Sequence, residues 1–450
     1  MIAPERIAAL AKAEAARFTA QNPRSLAAAR GAQHWFGGVP FHWMLDWPSP
    51  VPLVAASARD ATLTTIDGHV LDDFCLGDTA SMFGHSPAPL AQAIAAQAGA
   101  GLSYMLPTLQ SNAVADLLAS SFGLPRWQVT TTASEANRAV IRWCRGITGR
   151  RKILLFDGCY HGAVDDSFVD LRDGHPIMRP SLVGQVHDLR ETTVVVDFNN
   201  EVALAAALIG GDVACVLAEP VMTNVGMVRD APGFLNRLRA LCDQTGTLLV
   251  FDETHTISSG HGGHSRTHGP MPDLMVIGKS IGGGVPCVVY GFTEAVATRM
   301  AALNAARPAG HSGIGTTLSA NALSIAAMHA MLSSVITPGA YQTMAALTLE
   351  LVSGLARVTG HHGLPWHITQ VGARVELLCS PTPPANGREA KAAMQPALES
   401  LIHLYLVNRG LLLAPFHNMM LVSPVTTPGA IERLIAAIDG LARALLEPEA

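Results

Sequence analysis

From residue 152 onward the chain alternates short, continuously apolar runs with amphipathic stretches. The apolar runs are Lys152–Phe156, Thr193–Phe198, Val213–Ala218, Thr247–Phe251, Leu274–Ile277 and Cys287–Phe292. Strands apolar at every position are buried on both faces, so this alternation predicts a mostly parallel sheet covered by helices on both sides. Between them, stretches such as Gly233–Leu241 carry apolar residues at helical spacing. Ahead of the sheet, residues 4–35 read as helix with a break at Asn22-Pro23. A Pro-, Trp- and Gly-rich stretch, 37–50, is too apolar for a free linker and is expected to pack against something. Beyond about residue 330 the pattern turns to long helices with a few alternating strands. The reading is an α/β protein with an N-terminal helix and packing segment over 1–55, joined to the small lobe. A large domain follows over 56–330, and a smaller α+β domain over 331–450.

Composition narrows the class. Of 450 residues, 49% are hydrophobic and 14% charged, enough to build a sizeable core. No apolar run reaches the roughly 18–20 residues of a spanning helix, and the mean hydropathy of +0.28 comes largely from alanine. No membrane partner is expected. The N-terminus has interspersed charges and no continuous apolar core, so it does not read as a signal peptide. Seven scattered cysteines without a C-x-x-C pair favour a reducing compartment, and a cytoplasmic location is expected. A net charge of −5 with no basic run argues against nucleic acid. The low charged fraction favours an oligomer.

Chemistry enters with the lysines. There are only four, and Lys279 alone closes an apolar run, Leu274–Gly278, ahead of Ser280-Ile281-Gly282-Gly283-Gly284. An ammonium at the end of a buried strand must be paired, neutral or covalently engaged, and desolvation is how nucleophilic lysines are made. A strand-terminal lysine whose head reaches water is the alternative. Gly278-Lys279-Ser280 is not a phosphate loop, because Asp273 stands where the pattern needs glycine. Asp252 ends the run before it, where α/β sheets place their ligands. An amine able to form an imine and a carboxylate able to hold a pyridinium proton are together what pyridoxal 5′-phosphate (PLP) requires. Thr132 and Glu135 fit a capping box, and the helix start they mark suits a phosphate. A second hydroxyl-rich turn, Gly315–Ser319, is of the same kind.

These residues carry a family resemblance over roughly residues 50–440. Asp67-Gly68 through Phe83-Gly84-His85-Ser86-Pro87, Thr132–Asn137, Tyr160-His161-Gly162 and Glu219-Pro220 stand in family order. Asp252-Glu253, Gly278-Lys279 and Thr317–Asn321 follow. The chain resembles the class III aminotransferases, fold-type I PLP enzymes that include glutamate-1-semialdehyde aminomutase and β-amino-acid aminotransferases. The resemblance implies that Lys279 is Schiff-base anchor and proton carrier, and that Asp252 binds the pyridine nitrogen. It implies that Ala133 and Ser134 hold the phosphate, Tyr160 stacks on the ring, and Glu219 supports the site. Thr254 stands where the family has valine against the ring face, and Ala133 replaces a glycine. Thr317 would reach the phosphate of a neighbouring subunit, making a homodimer.

A substrate pocket is expected from Phe41, His42, Trp43, Phe83, Phe416 and His417. The β-amino-acid enzymes bind carboxylate through arginines, but Val39–Trp43 and Ala414–Asn418 contain none. The expected reaction is therefore transamination from an amine or bulky apolar amino compound to a keto acid, with the 2,1-aminomutase reaction as alternative. A decarboxylase, a racemase or a non-catalytic PLP-fold protein ranks lower. The histidines at 255, 261, 264 and 268 lie in a glycine-rich stretch without acidic partners and read as an active-site wall or polar loop, so no metal is expected.

Overall fold

The computed structural model describes residues 2–446. Two compact units share the chain, one formed by Ala88–Pro338 with Pro384–Ala392, the other by the remainder.

The first of these holds a seven-stranded sheet. Its strands are β1 (Arg126–Thr130), β2 (Lys152–Phe156), β3 (Thr193–Val196), β4 (Val213–Ala218), β5 (Leu248–Asp252), β6 (Leu274–Ile277) and β7 (Val288–Phe292). Their order is β1-β7-β6-β5-β4-β2-β3, and only β7 runs against its neighbours. The sheet is the mostly parallel one expected of fold type I. Every residue of β4, β5 and β6 is buried, as their unbroken apolar sequences require. Helices Ala133–Thr148 and Phe234–Thr245 bury Val140, Cys144, Leu235 and Leu238 in the same core. Phe156, Phe198 and Phe234 close it with edge-on ring pairs 5.0–5.7 Å apart, each such pair contributing about 0.5–1.5 kcal/mol beyond its burial. One strand was absent from the apolar runs. β1 reads Arg-Trp-Gln-Val-Thr, alternates in exposure, and lies at the sheet edge with β7 as its one neighbour.

In the other unit, helices Pro4–Gln21 and Pro23–Gly31 meet at Asn22, whose amide donates to the Phe18 carbonyl at 2.9 Å. Pro23 opens the second helix at a position where a missing N–H costs nothing. Strands Ala55–Arg59, Thr62–Thr65 and Val70–Asp73 form a sheet completed by Leu411–Leu412. That parallel pairing ties residues 56–87 to this unit, so the sequence boundary at 55, which gave them to the large domain, moves to Pro87. A second sheet joins His367–Val371, Arg374–Leu378 and Met420–Leu421. Helices Pro338–His362, Pro396–Val407 and Pro428–Leu446 bury Leu351, Leu355, Leu401, Leu434 and Leu441. The 37–50 stretch packs through Trp47, edge-on to His403 with centroids 5.4 Å apart. Among the described residues no single helix is long and apolar enough to cross a membrane.

Candidate active site

β1, β2, β4, β5 and β6 run in one direction, so their carboxyl ends lie along one edge of the sheet. Residues chosen from sequence follow those ends: Ala133-Ser134 after β1, Tyr160 after β2, Glu219 after β4, and Lys279 after β6. Asp252 is the last residue of β5 and pairs in register with Val276 of β6. Such an edge is where open α/β sheets bind ligands.

Asp252 is 5% exposed and held on both oxygens. Oδ1 accepts from the Thr254 hydroxyl at 2.6 Å and the Thr254 N–H at 3.1 Å. Oδ2 accepts from the Asn137 amide at 2.8 Å and stands 3.1 Å from His161 Nδ1. Burial would raise its pKa, but His161, Thr254 and Asn137 outweigh burial and lower it to about 2. His161 itself is pushed well above the usual imidazole value. Burial opposes the charge, but Cys159 and Asp252 beside the ring prevail. The site thus keeps an ionised carboxylate in a buried place.

Lys279 is half-buried and lies in the left-handed region at φ 53°, in the turn Lys279–Gly282. A side chain there costs roughly 1–2 kcal/mol, the kind of strain that marks functional positions. Its Nζ is hydrogen-bonded to His255 Nε2. His255 Nδ1 stands 2.5 Å from the Thr223 hydroxyl, which donates to Glu219 Oε2 at 2.7 Å. Glu219 also accepts from the Tyr160 N–H at 3.3 Å and from the Asn224 amide at 3.2 Å. Glu253, by contrast, turns away into Thr256, His264 and Ser265.

At the start of helix Ala133–Thr148, Thr132 accepts from the Glu135 N–H at 3.2 Å, and Glu135 accepts from the Thr131 N–H at 2.9 Å. Ser134 Oγ accepts from the Ala163 N–H at 2.8 Å. The Gly315–Ser319 turn reaches the same helix start, with Ser319 donating to Glu135 at 3.2 Å. The buried Thr131 hydroxyl has no hydrogen-bond partner. A helix start with spare N–H groups and hydroxyls suits a phosphate dianion. With the ionised Asp252 and the lysine on the adjacent strand end, the donor set fits PLP.

Other expected residues stand differently. Thr254 spends its hydroxyl on Asp252. Tyr160 is 51% exposed, and Thr317 is exposed as well. Phe41, His42, Trp43, Phe83, Phe416 and His417 all belong to the other unit. There Phe83 is buried edge-on to Tyr341 at 5.6 Å, Phe41 lies 4.8 Å from the His42 ring, and His417 stands 3.3 Å from Glu376. The histidine stretch divides: His255 meets Lys279, whereas His264 and His268 stack at 5.0 Å. Among the described residues no group of His, Cys, Asp or Glu could hold a metal ion.

Three side chains were not assigned from sequence, Asn137, His161 and Thr223, and His255 was read only as part of an active-site wall or polar loop. Asn137 and His161 sit inside the quoted motifs, and that proximity was the available signal.

The family model for Aminotransferase class-III matches residues 45–438. A glutamate-1-semialdehyde 2,1-aminomutase of Desulfosudis oleivorans is 32% identical over 392 residues, covering 86% of this chain and 90% of that protein. The crystal structure of a glutamate-1-semialdehyde-aminomutase from Pseudomonas aeruginosa PAO1 superposes with a TM-score of 0.96 at 44% identity. It covers 99% of this chain and 100% of that one. A lysine-to-alanine variant of that enzyme, in complex with PMP, gives 0.97. A β-phenylalanine aminotransferase from Variovorax paradoxus gives a TM-score of 0.85 at 27% identity, covering 99% and 100%. The chain belongs to the class III aminotransferases, fold-type I enzymes whose cofactor is pyridoxal 5′-phosphate.

Proposed function

We propose that the chain moves an amino group within one carbon skeleton, the 2,1-aminomutase reaction of the glutamate-1-semialdehyde type. This replaces transamination, favoured from sequence, as the leading reading. The relatives at 32% and 44% identity that bear the aminomutase name support the change. The observation that carries the amino-transfer chemistry is Asp252 and Lys279 at the ends of two in-register parallel strands.

When bound, PLP supplies an electron sink for a substrate carbanion. The protein does the rest. Lys279 would anchor the cofactor and move a proton at the substrate carbon that bears nitrogen. Asp252, its pKa held at about 2, stays ionised and keeps the ring nitrogen protonated. Thr254, Asn137 and His161 aim that carboxylate. Ser134, with the N–H groups from Ala133 onward, binds the phosphate. Glu219 fixes the backbone of Tyr160, whose exposed ring would stack on the cofactor. Thr317 of a second copy completes the phosphate site in a homodimer.

Transamination remains the second reading, because Val39–Trp43 and Ala414–Asn418 lack the arginine a donor carboxylate needs. Purified holoenzyme given glutamate 1-semialdehyde and no keto acid separates the two. Accumulation of 5-aminolevulinate supports the mutase; strict dependence on an added keto acid overturns it. Under that outcome, β-phenylalanine and its carboxylate-free amine should turn over comparably.

A further inference from the structure

Four side chains from three strand ends stand in one line. The Glu219 carboxylate accepts from the Thr223 hydroxyl at 2.7 Å and from the Thr223 N–H at 3.1 Å. The same hydroxyl stands 2.5 Å from His255 Nδ1, and His255 Nε2 meets Lys279 Nζ. A hydroxyl has one proton to give. Given to the carboxylate, it leaves the Thr223 oxygen as an acceptor toward the ring. His255 Nδ1 therefore carries the hydrogen, and the neutral ring turns the lone pair of Nε2 to Lys279. Glu219 and Thr223 are each 4% exposed and His255 9%, so bulk water competes poorly for these bonds.

We propose that His255 is the proton acceptor of Lys279, its tautomer set by Thr223 and its positive form stabilised by Glu219. In the step, an Nζ–H bond of the ammonium breaks and its electron pair stays on nitrogen. A new Nε2–H bond forms, leaving a neutral amine and an imidazolium, with no other reactant. The inference rests on Lys279 being the anchor, since only a neutral amine can attack a carbonyl carbon or take a substrate proton.

Lys279 comes from the turn after β6, and Thr223 and Glu219 from the segment after β4. On the segment of His255 itself, Asp252 is engaged by Thr254, Asn137 and His161, and Glu253 by Thr256, His264 and Ser265.

The test is the rate at which full-length protein, stripped of cofactor and given PLP, regains its visible absorbance band across a pH series. No turnover is involved. Toward acid, wild type should lose this rate only gradually, because the neutral His255 ring can take the Lys279 proton. His255→Phe should fall more steeply toward acid than wild type and match it at the alkaline end of the series. Thr223→Val should move the same way by less, and Thr223→Ser should restore the profile. A His255→Phe profile parallel to wild type, or one slowed equally at the alkaline end, overturns the relay and leaves a packing role. If His255→Phe loses its fold by circular dichroism, Thr223→Val against Thr223→Ser decides alone. Wild-type protein that gains no visible band at all overturns the anchor reading, a result distinct from an unaltered pH profile.

Discussion

The side-chain amide of Asn137 lies 2.8 Å from Oδ2 of Asp252, joining the helix after β1 to the end of β5. It also donates to the His161 carbonyl at 3.0 Å, so one residue ties three strand ends together. Asn137→Ala strips a donor from two buried acceptors, a loss costing about 1–3 kcal/mol. It also lets the Asp252 carboxyl rise from about 2. Urea unfolding should show that destabilisation, and a PLP titration should show affinity falling about tenfold, which is about 1.4 kcal/mol of binding. A change inside about 0.5 kcal/mol, the ordinary range of surface substitutions, would mean that His161 and Thr254 hold Asp252 unaided.

The Asp252–His161 pair gives stability a pH window. Asp252 is depressed, so its contribution is complete above the ordinary carboxyl value of about 3.9 and fades as pH falls through about 2. His161 is raised, so its contribution is complete below the ordinary imidazole value of about 6.5 and is lost as pH climbs through its folded value. The urea midpoint of wild type should therefore be highest between about pH 4 and about pH 6.5 and decline on both sides. His161→Gln keeps a donor near Asp252 but cannot titrate. Its alkaline decline should be flatter, and an unchanged alkaline slope would place the titrating group elsewhere.

How far the sequence reached depended on where the information lay. The inner strands β4, β5 and β6 announced themselves because burial on both faces forces unbroken apolar runs, and Lys279 and Asp252 stood out at their ends. β1 was missed because an edge strand with an exposed face can afford arginine and glutamine. The two-residue strands at 411 and 420 exist only through their partners. The partners of Asp252 were illegible for a related reason: Asn137 and His161 lie 115 and 91 residues away in sequence. Periodicity can find a strand end, but it cannot say which loop folds over it. His255 was noticed within a histidine stretch, but its meeting with Lys279 depends on how the segments after β5 and β6 approach each other.

Lys279 offers a test of stored strain. At φ 53° any side chain is disfavoured, while glycine is at ease. Lys279→Ala and Lys279→Gly should both lose turnover and the visible cofactor band. They should differ in stability, with the glycine variant about 1 kcal/mol firmer than the alanine variant by urea unfolding. Equal midpoints would mean that the turn relaxes once the lysine is gone. Retained turnover in either would refute the anchor.

Gly162 sits where the loop after β2 crosses the turn at Ser134, proposed above to bind phosphate. A Cβ there would fall 2.3 Å from Ser134 Oγ and 3.0 Å from Ser134 Cα, at a φ of +82°. Gly174 is the natural control, with a similar φ of +76° but nothing within 4 Å of its Cβ. Both Gly→Ala variants suffer the left-handed penalty of roughly 1–2 kcal/mol. Only Gly162→Ala also pushes on Ser134, whose hydroxyl accepts from Ala163, adding about 1–3 kcal/mol of overpacking. PLP affinity, measured by titration, should fall in Gly162→Ala and stay at the wild-type value in Gly174→Ala. If the two variants match in both urea midpoint and PLP affinity, the close approach of these loops does not shape the phosphate site.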